Sequence, residues 1–253
     1  MSRYDFAARR LYVNPPLAQA AQIALDQAQV NYVRNVLRLS EGARILVFNG
    51  RDGEWETSVA SSNRKYVTLA VDKLIRPQEP RPDLHYLFAP LKQARQDYMV
   101  EKAVEMGAGL LRPVLTSRTQ IGRINSQRMH AHAIEAAEQC GILSIPEIAP
   151  PIRLDALLGA WEQDRLLVYC DEDAPSSDPL AALRPRGDAK GPPALAVLIG
   201  PEGGFDARER ETLLGLPCVL RLPLGPRILR ADTAAVAALA LVQATLGDWR
   251  DKY

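Results

Sequence analysis

The sequence predicts an α/β protein that carries a small all-β domain in front of a parallel sheet. Short strand patterns at regular spacing fill residues 1–76, whereas strand and helix patterns alternate from Leu84 onward. Between these parts, the stretch from Arg76 to Pro82 holds three prolines, which is typical of a stiff linker. We therefore predict a β-barrel at residues 1–76 and an α/β domain at residues 77–253.

The N-terminal part shows five strand patterns and one helix. The strands are predicted at Leu11–Val13, Ala21–Leu25, Arg44–Asn49, Glu54–Ala60 and Tyr66–Leu74. Asp26 is the predicted N-cap of a helix whose apolar face carries Val30, Val33, Val36 and Leu37. Residues 49–53, Asn-Gly-Arg-Asp-Gly, have the composition of a hairpin turn between the third and fourth strands.

The C-terminal part alternates strands with helices. Strands are predicted at Leu84–Ala89, Leu111–Leu115, Leu166–Cys170, Ala194–Ile199 and Cys218–Leu222. Helices are predicted at Arg95–Met106, Ser126–Cys140 and Leu154–Trp161, with two more that start near Asp206 and Asp232. The stretch from Asp171 to Pro193 is rich in Asp, Pro, Gly and Ser, so we expect a mobile loop there.

Composition and charge restrict the class of protein. Hydrophobic residues make up 47% and charged residues 24%, as in ordinary soluble proteins. Residues 1–76 hold 11 Lys and Arg against 7 Asp and Glu, an excess that suits a polyanion partner or reflects surface scatter. Three cysteines without CxxC spacing argue against disulfides and zinc, and fit a reducing cytoplasm. Residues 1–20 lack the apolar region of a signal peptide, and Ala234–Leu246 is too short to span a membrane.

Two strand–loop–helix units near the C-terminus predict a ligand pocket. The strand that ends at Ile199 runs into Gly-Pro-Glu-Gly-Gly at residues 200–204, and the strand that ends at Leu222 runs into residues 223–230. Open α/β sheets bind ligands at the carboxyl ends of their strands, and adjacent glycines let the backbone approach a ligand closely. Neither GxxxxGK[ST] nor a helix-opening GxGxxG is present, which argues against NTPase and dinucleotide sites.

The two loops resemble those of the SPOUT RNA methyltransferases. Residues 198–205 read Leu-Ile-Gly-Pro-Glu-Gly-Gly-Phe, and residues 224–234 read Leu-Gly-Pro-Arg-Ile-Leu-Arg-Ala-Asp-Thr-Ala. Within that class the chain is similar to the ribosomal RNA small subunit methyltransferase E family, which methylates N3 of a uridine in 16S rRNA. Further matching stretches cover nearly the whole chain: Asn31 to Arg38, Lys92 to Gly107, Thr116 to Arg118 and Glu138 to Gly141.

The resemblance implies a PUA-like RNA-binding barrel, a SPOUT domain tied in a trefoil knot, a homodimer, and S-adenosylmethionine as cofactor. Backbone groups of both loops can hydrogen-bond its adenine and ribose, and Ile228 and Leu229 can pack on the ring. The predicted cofactor residues are Leu198, Ile199, Gly200, Pro201, Gly203, Gly204, Leu222, Leu224, Gly225, Ile228, Leu229 and Thr233. No metal site is expected, because His130 and His132, two apart on a helix, point in different directions.

The predicted catalytic groups are Arg227, Arg230, Asp232 and Glu202. Either arginine can stabilise the negative charge that develops on the uracil, or bind O2, O4 or a neighbouring phosphate. Asp232 stands where the family usually has Glu, and it is either the general base or the N-cap of the last helix. Glu202 either holds an arginine of the RNA site or projects into solvent.

The resemblance also assigns phosphate contacts and leaves alternatives open. The predicted RNA-binding residues are Lys92, Lys102 and Arg118, together with Arg34 and Arg38 in the barrel. Glu105 is a site residue or a surface charge, and the Ala-rich last helix is a dimer element or a plain core helix. Asn31 and Ile142 replace the family's usual His and Arg. The rival functions are methylation of a ribose 2′-hydroxyl or another base, and a non-catalytic RNA-binding assembly factor.

Overall fold

The computed structural model describes residues 8–120, 124–175, 177–184 and 194–250. The chain divides into two compact units, which we describe separately. The first contains Met1–Arg81 with Ile134–Ile145, and the second contains Pro82–Ala133 with Pro146–Tyr253. The boundary predicted after residue 76 stays a prediction.

The first unit is built on a five-stranded sheet, so all five predicted strands are confirmed. In chain order the strands are β1 (Arg10–Tyr12), β2 (Gln22–Ala24), β3 (Arg44–Phe48), β4 (Glu54–Ser62) and β5 (Val67–Arg76). Their spatial order is β1-β3-β4-β5-β2, with β1 parallel to β3 and the other pairs antiparallel. The buried carboxylate of Glu54 holds Arg10 and Arg76, each at 3.0 Å, on either side of this sheet's β4.

The helix of the first unit begins as predicted but changes its winding. Helix α1 (Gln27–Asn31) has Asp26 as its N-cap, whose carboxylate accepts from the Gln29 backbone N–H at 2.8 Å. A π-helical turn (Tyr32–Val36) follows directly, closed by the Leu37 N–H bonded to the Tyr32 carbonyl at 2.9 Å. This wider turn shifts the side-chain register. Val36 is consequently 61% exposed, and its predicted place on the apolar face is wrong.

The second unit contains the predicted parallel sheet. Its strands are β6 (Leu84–Phe88), β7 (Leu110–Leu115), β8 (Glu147–Ile148), β9 (Ile152–Arg153), β10 (Leu166–Cys170), β11 (Leu195–Ile199) and β12 (Val219–Leu222). The spatial order is β12-β10-β11-β6-β7-β8, with β9 beside β7, and every pair is parallel. Strands β8 and β9 were not predicted, because two residues are too few to show an alternating pattern.

The helices of the second unit match the sequence pattern closely. They are α2 (Gln93–Glu105), α3 (Ser126–Cys140, which continues into the first unit), α4 (Leu154–Gly159), α5 (Pro179–Ala182), α6 (Ala207–Leu214) and α7 (Ala231–Thr245). The unpredicted α5 lies within the predicted loop from Asp171 to Pro193, and residues 176 and 185–193 of that loop lie outside the described residues. None of the described helices is long and apolar enough to span a membrane. All three cysteines fall in described segments, and none forms a disulfide.

Helix α7 is fixed at its C-terminal end by a buried amide. The Gln243 side chain, in a residue only 2% exposed, donates to the Met106 carbonyl at 2.8 Å and accepts from the Asp248 N–H at 3.1 Å. A β-carbon on Gly107 or Gly247 would lie 2.6 Å or 1.8 Å from this amide, so both positions need glycine. The amide therefore joins the end of α2 to the end of α7.

Candidate functional site

Three loops at the carboxyl edge of the second unit's sheet surround a cavity of about 960 Å³. We call residues 171–175, after β10, the acidic loop; residues 200–205, after β11, the glycine loop; and residues 223–230, after β12, the arginine loop. Because β10 lies between β11 and β12, the three loops leave the sheet side by side. The size is within the range of small-molecule sites, and the position is where parallel sheets bind ligands.

The glycine loop is a fixed turn. The Gly204 N–H donates to the Pro201 carbonyl at 2.8 Å, and Gly204 has φ of +69°, which favours glycine. A β-carbon on Gly200 would lie 2.5 Å from the Phe205 ring, so the ring packs against this glycine without space for a side chain. Helix α6 begins directly after the loop with Asp206 as N-cap in a reciprocal capping box with Glu209.

Two arginines hold the glycine loop from neighbouring elements. Arg95, in the first turn of α2, forms an ion pair with Glu202 in which the side chains are 37% and 55% exposed. Arg118, after β7, donates to the Gly203 carbonyl at 2.5 Å. Glu202 therefore has an arginine partner, and whether that arginine belongs to an RNA site stays a prediction. Arg95 was not predicted, because one arginine near the start of a helix gives no sequence signal.

The arginine loop contrasts with the glycine loop in having few internal contacts. In the described part of the chain, no hydrogen bond holds residues 223–229. Gly225 has φ of +88° and nothing within 4 Å of a β-carbon, and Ile228 is 93% exposed. The exposed Arg227 and Arg230 have no ion-pair partner among the described side chains. Their guanidinium groups are thus available to an anion at the cavity.

A buried carboxylate links the elements on both sides of the cavity. Asp171, at the end of β10, bonds Arg210 of α6 at 2.5 Å and Arg221 of β12 at 2.6 Å. Burial alone would raise the pKa of the Asp171 carboxyl, but the two arginine hydrogen bonds outweigh it and hold that pKa below its ordinary value. No sequence pattern indicated this cluster, because Arg210 and Arg221 lie 39 and 50 positions from Asp171.

The cavity brings most of the predicted site residues together. Fourteen of them line it: Ile199, Gly200, Pro201, Glu202, Gly203, Gly204, Leu222, Leu224, Gly225, Arg227, Ile228, Leu229, Arg230 and Arg118. Leu198 is buried inside β11, and Asp232 and Thr233 lie in the first turn of α7, so these three do not line it. These assignments to cofactor or catalysis stay predictions.

The N-cap alternative for Asp232 is wrong. Helix α7 has Arg230 as its N-cap, so it begins at Ala231 and Asp232 lies within the first turn. The Asp232 carboxylate accepts from the Thr233 N–H at 3.0 Å, and a negative charge there is favourable beside the positive end of the helix dipole.

Two further predicted cations of the second unit, Lys92 and Lys102, do not line the cavity. Lys92 is the exposed N-cap residue of α2, and Lys102 forms an ion pair with Glu105 at 2.5 Å. Glu105 therefore has a structural partner. In the first unit, Arg34 lies in the π-helical turn and the exposed Arg38 follows it with φ of +55°. Their RNA contacts stay predictions.

The cavity combines apolar side chains with polar backbone. Leu224 and Leu229 offer an apolar lining, whereas the N–H and C=O groups of residues 223–229 have no protein partner within the described residues. Such a surface suits a molecule with a flat apolar part and several hydrogen-bonding groups. The arginines beside it suit a second molecule that carries negative charge.

Comparisons with known proteins agree with this geometry. The RNA methyltransferase domain model matches residues 77–243, and the RNA methyltransferase PUA domain model matches residues 25–72. The chain is 28% identical over 235 residues to the ribosomal RNA small subunit methyltransferase E of Rickettsia conorii, covering 92% of this chain and 94% of the relative. It is 28% identical over 242 residues to the protein of the same name from Synechocystis, with 94% and 78% covered.

Solved structures share the same fold. A protein from Legionella pneumophila, described as a methyltransferase in complex with the bound cofactor SAM, has a TM-score of 0.82 and 28% identity, with 95% of this chain and 99% of that chain covered. The ribosomal RNA small subunit methyltransferase E of Neisseria gonorrhoeae, bound to S-adenosyl methionine, also has a TM-score of 0.82, at 24% identity with 96% and 99% covered. The predicted α/β fold with an N-terminal PUA-like domain is thereby confirmed.

Proposed function

The chain belongs to the RNA methyltransferase family, and from that premise we propose that it is an S-adenosylmethionine-dependent methyltransferase of small-subunit ribosomal RNA. The observation that carries the proposal is the cavity at the carboxyl edge of β10, β11 and β12, lined by both loops of the sequence resemblance. The Rickettsia relative that is named a ribosomal RNA small subunit methyltransferase E aligns with 92% of this chain. The Legionella protein, which has the same fold, holds SAM.

The residues at the cavity fit this cofactor. Its adenine can pack on the apolar side chains of Leu224 and Leu229, while backbone groups of residues 223–229 bind its polar edges. When bound, S-adenosylmethionine supplies a methyl group on a positively charged sulfur. The chain's contribution is to hold the acceptor in line with that group, which lowers the barrier by positioning.

We propose N3 of a uridine as the acceptor atom. Uracil N3–H is a weak acid, so its proton must leave before the nitrogen attacks, and negative charge then develops on the ring. The guanidinium groups of Arg227 and Arg230, which have no ion-pair partner among the described side chains, stabilise that charge at O2 or O4. Asp232, in the first turn of α7, is the proposed acceptor of the proton.

The proposal includes the assembly that the resemblance implies. The second unit is a trefoil knot, which is rare among folds, and two copies form a homodimer through the small side chains of α7. The PUA-like domain binds ribosomal RNA through Arg34 and Arg38, and the enzyme works in the cytoplasm. Loss of dimers in sedimentation after Ala237→Glu, an α7 position with intermediate exposure, would support the α7 interface.

A single reaction tests the function. The full chain is incubated with S-adenosylmethionine and small ribosomal subunits from a strain that lacks the enzyme, and the rRNA is digested for nucleoside mass spectrometry. We expect 3-methyluridine. A 2′-O-methyl nucleoside or another methylated base would contradict the N3 assignment. An absence of S-adenosylmethionine binding in calorimetry would instead favour the non-catalytic assembly factor.

A further inference from the structure

We propose that Arg95 and Arg118 form a phosphate-binding site for the RNA substrate, and that the Glu202 carboxylate occupies this site until RNA displaces it. The inference rests on the proposed function, because it takes RNA as the substrate of the cavity. It adds Arg95 to the RNA-contacting residues and gives Glu202 a role in binding.

The geometry brings two guanidinium groups to one short stretch of chain. Arg95 binds the Glu202 carboxylate, and Arg118 binds the carbonyl of the next residue, Gly203, at 2.5 Å. The two arginines come from different elements, α2 and the loop after β7, and both line the cavity. The two guanidinium groups thus bind oxygen atoms of two consecutive residues, Glu202 and Gly203, at one edge of the cavity, and a phosphate offers both arginines charged oxygens in place of these two.

The charges make the exchange favourable. Gly203 offers Arg118 only a neutral carbonyl, and although the charge of Arg118 helps to hold the pKa of Asp206 below its ordinary value, the two form no ion pair within the described residues. The ion pair of Arg95 with Glu202 is partly exposed, at 37% and 55%, and solvent-exposed pairs of this kind contribute little to stability. Replacing the Glu202 carboxylate by a phosphate therefore costs little free energy. Both arginines can then donate hydrogen bonds to oxygen atoms of the same phosphate.

The position suits a nucleotide next to the acceptor base. On the other side of the cavity, Arg227 and Arg230 have no partner among the described side chains. An RNA strand that places one base in the cavity would bring its backbone past the rim, where Arg95 and Arg118 lie. Glu202 would then act as a competitor that only a polyanion with several contacts displaces.

Binding of in vitro transcribed small-subunit rRNA to four full-length proteins tests the proposal: wild type, Arg95→Ala, Glu202→Gln and the double variant. We expect Arg95→Ala to weaken binding about tenfold, the effect of losing a hydrogen bond to a charged group. The slope of log K against log salt should fall by roughly 0.7–0.9. Glu202→Gln should tighten binding about two- to fivefold, and only when Arg95 is present.

Controls separate this outcome from general charge effects. Arg153→Ala and Asp155→Asn alter another exposed ion pair of the second unit that does not line the cavity, and should leave RNA binding unchanged. Equal tightening by Glu202→Gln with and without Arg95 would overturn the proposal, as would unchanged binding in Arg95→Ala. S-adenosylmethionine affinity is measured in each protein. A wild type that binds neither cofactor nor RNA would refute the proposed function itself. If the wild type binds both and Arg95→Ala and Glu202→Gln leave RNA affinity unchanged, only the proposed phosphate site is refuted.

Discussion

The glycine loop and the arginine loop follow the same plan, since each connects a parallel strand to a helix at one cavity, yet they differ in how firmly they are held. The glycine loop has an internal turn, the ring of Phe205 packed closely against Gly200 and a reciprocal capping box at its end. Residues 223–229 of the arginine loop have no hydrogen bond within the described residues, and α7 begins without a side-chain cap.

Because of this difference, the two loops contribute differently to ligand binding at the cavity. The glycine loop is a preformed wall, so a ligand meets it with little reorganisation. The arginine loop keeps its polar backbone and its guanidinium groups available, so ligands supply the contacts that the chain does not. We therefore expect substitutions in the first loop to change folding stability, and substitutions in the second to change binding or turnover.

The largest effect is expected from Arg230→Ala in the arginine loop. Turnover on small ribosomal subunits should fall about 10²–10³-fold, because one donor to the developing negative charge is lost. S-adenosylmethionine affinity and the urea midpoint should stay within error, since this side chain has no protein partner in the described segments. Arg208→Ala, on the exposed side of α6, is the matched control. A wild-type rate in Arg230→Ala would remove this residue from the reaction and break the division between the loops.

The next effect concerns Asp171, which joins α6 and β12 and so fixes both loops. Asp171→Asn should lower the free energy of unfolding at pH 7 by about 2 kcal/mol, less than for a fully buried pair because both arginines are partly exposed. The pKa of the Asp171 carboxyl lies below its ordinary value of 3.8. The stability advantage of the wild type over Asp171→Asn is therefore complete above pH 3.8, and it is lost as the pH falls through the lower pKa of Asp171 in the folded state.

Urea denaturation at pH 7 and pH 2.5 checks this dependence on the carboxylate. Asp164→Asn changes an exposed carboxylate of the same unit and should have no effect at either pH. A stability difference for Asp171→Asn that is equally large at both pH values would mean that packing, and not charge, holds the two loops together.

The smallest effects on stability and binding are expected from replacing single glycines of the two loops by alanine. These substitutions test the difference between the loops directly. Gly204→Ala strains a turn that the chain itself holds at φ of +69°, so it should cost about 1 kcal/mol of folding stability. Gly225→Ala strains a loop that is free to relax, so it should spare stability and weaken S-adenosylmethionine binding about fivefold. Gly203→Ala is the control, since its β-carbon meets Arg118 at an ordinary 3.5 Å. Identical behaviour of Gly204→Ala and Gly225→Ala in calorimetry and urea denaturation would contradict the comparison.

Local patterns were sufficient for most of the fold. The strand Leu166–Cys170 and the helix Ser126–Cys140 were predicted with their observed bounds, because apolar runs and helical periodicity are properties of consecutive residues. The π-helical turn after α1 was not predicted, since its sequence fits an ordinary helix equally well. Asp232 was a reasonable N-cap by residue type, but the helix begins one residue before it.

The candidate site was only partly predictable. Its two loops could be found from glycine and proline after apolar strands, and from their resemblance to a family. Arg95, Asp171 and Arg210 could not be found, because their contacts depend on which strands are neighbours in the sheet. Strand β10 lies between β11 and β12, and nothing in the local sequence around residue 171 indicates that order.

The amide of Gln243 has a consequence for inherited variation in this chain. Helix α7 carries Arg230 at one end and is anchored by Gln243 near the other, roughly 20 Å away along a 15-residue helix. A small tilt of α7 at Gln243 would become a larger displacement of Arg230 at the other end of the helix. The guanidinium group would then no longer lie at the cavity. Deleterious alleles are therefore expected at Gln243, Gly107 and Gly247, although these positions lie far from any reacting atom.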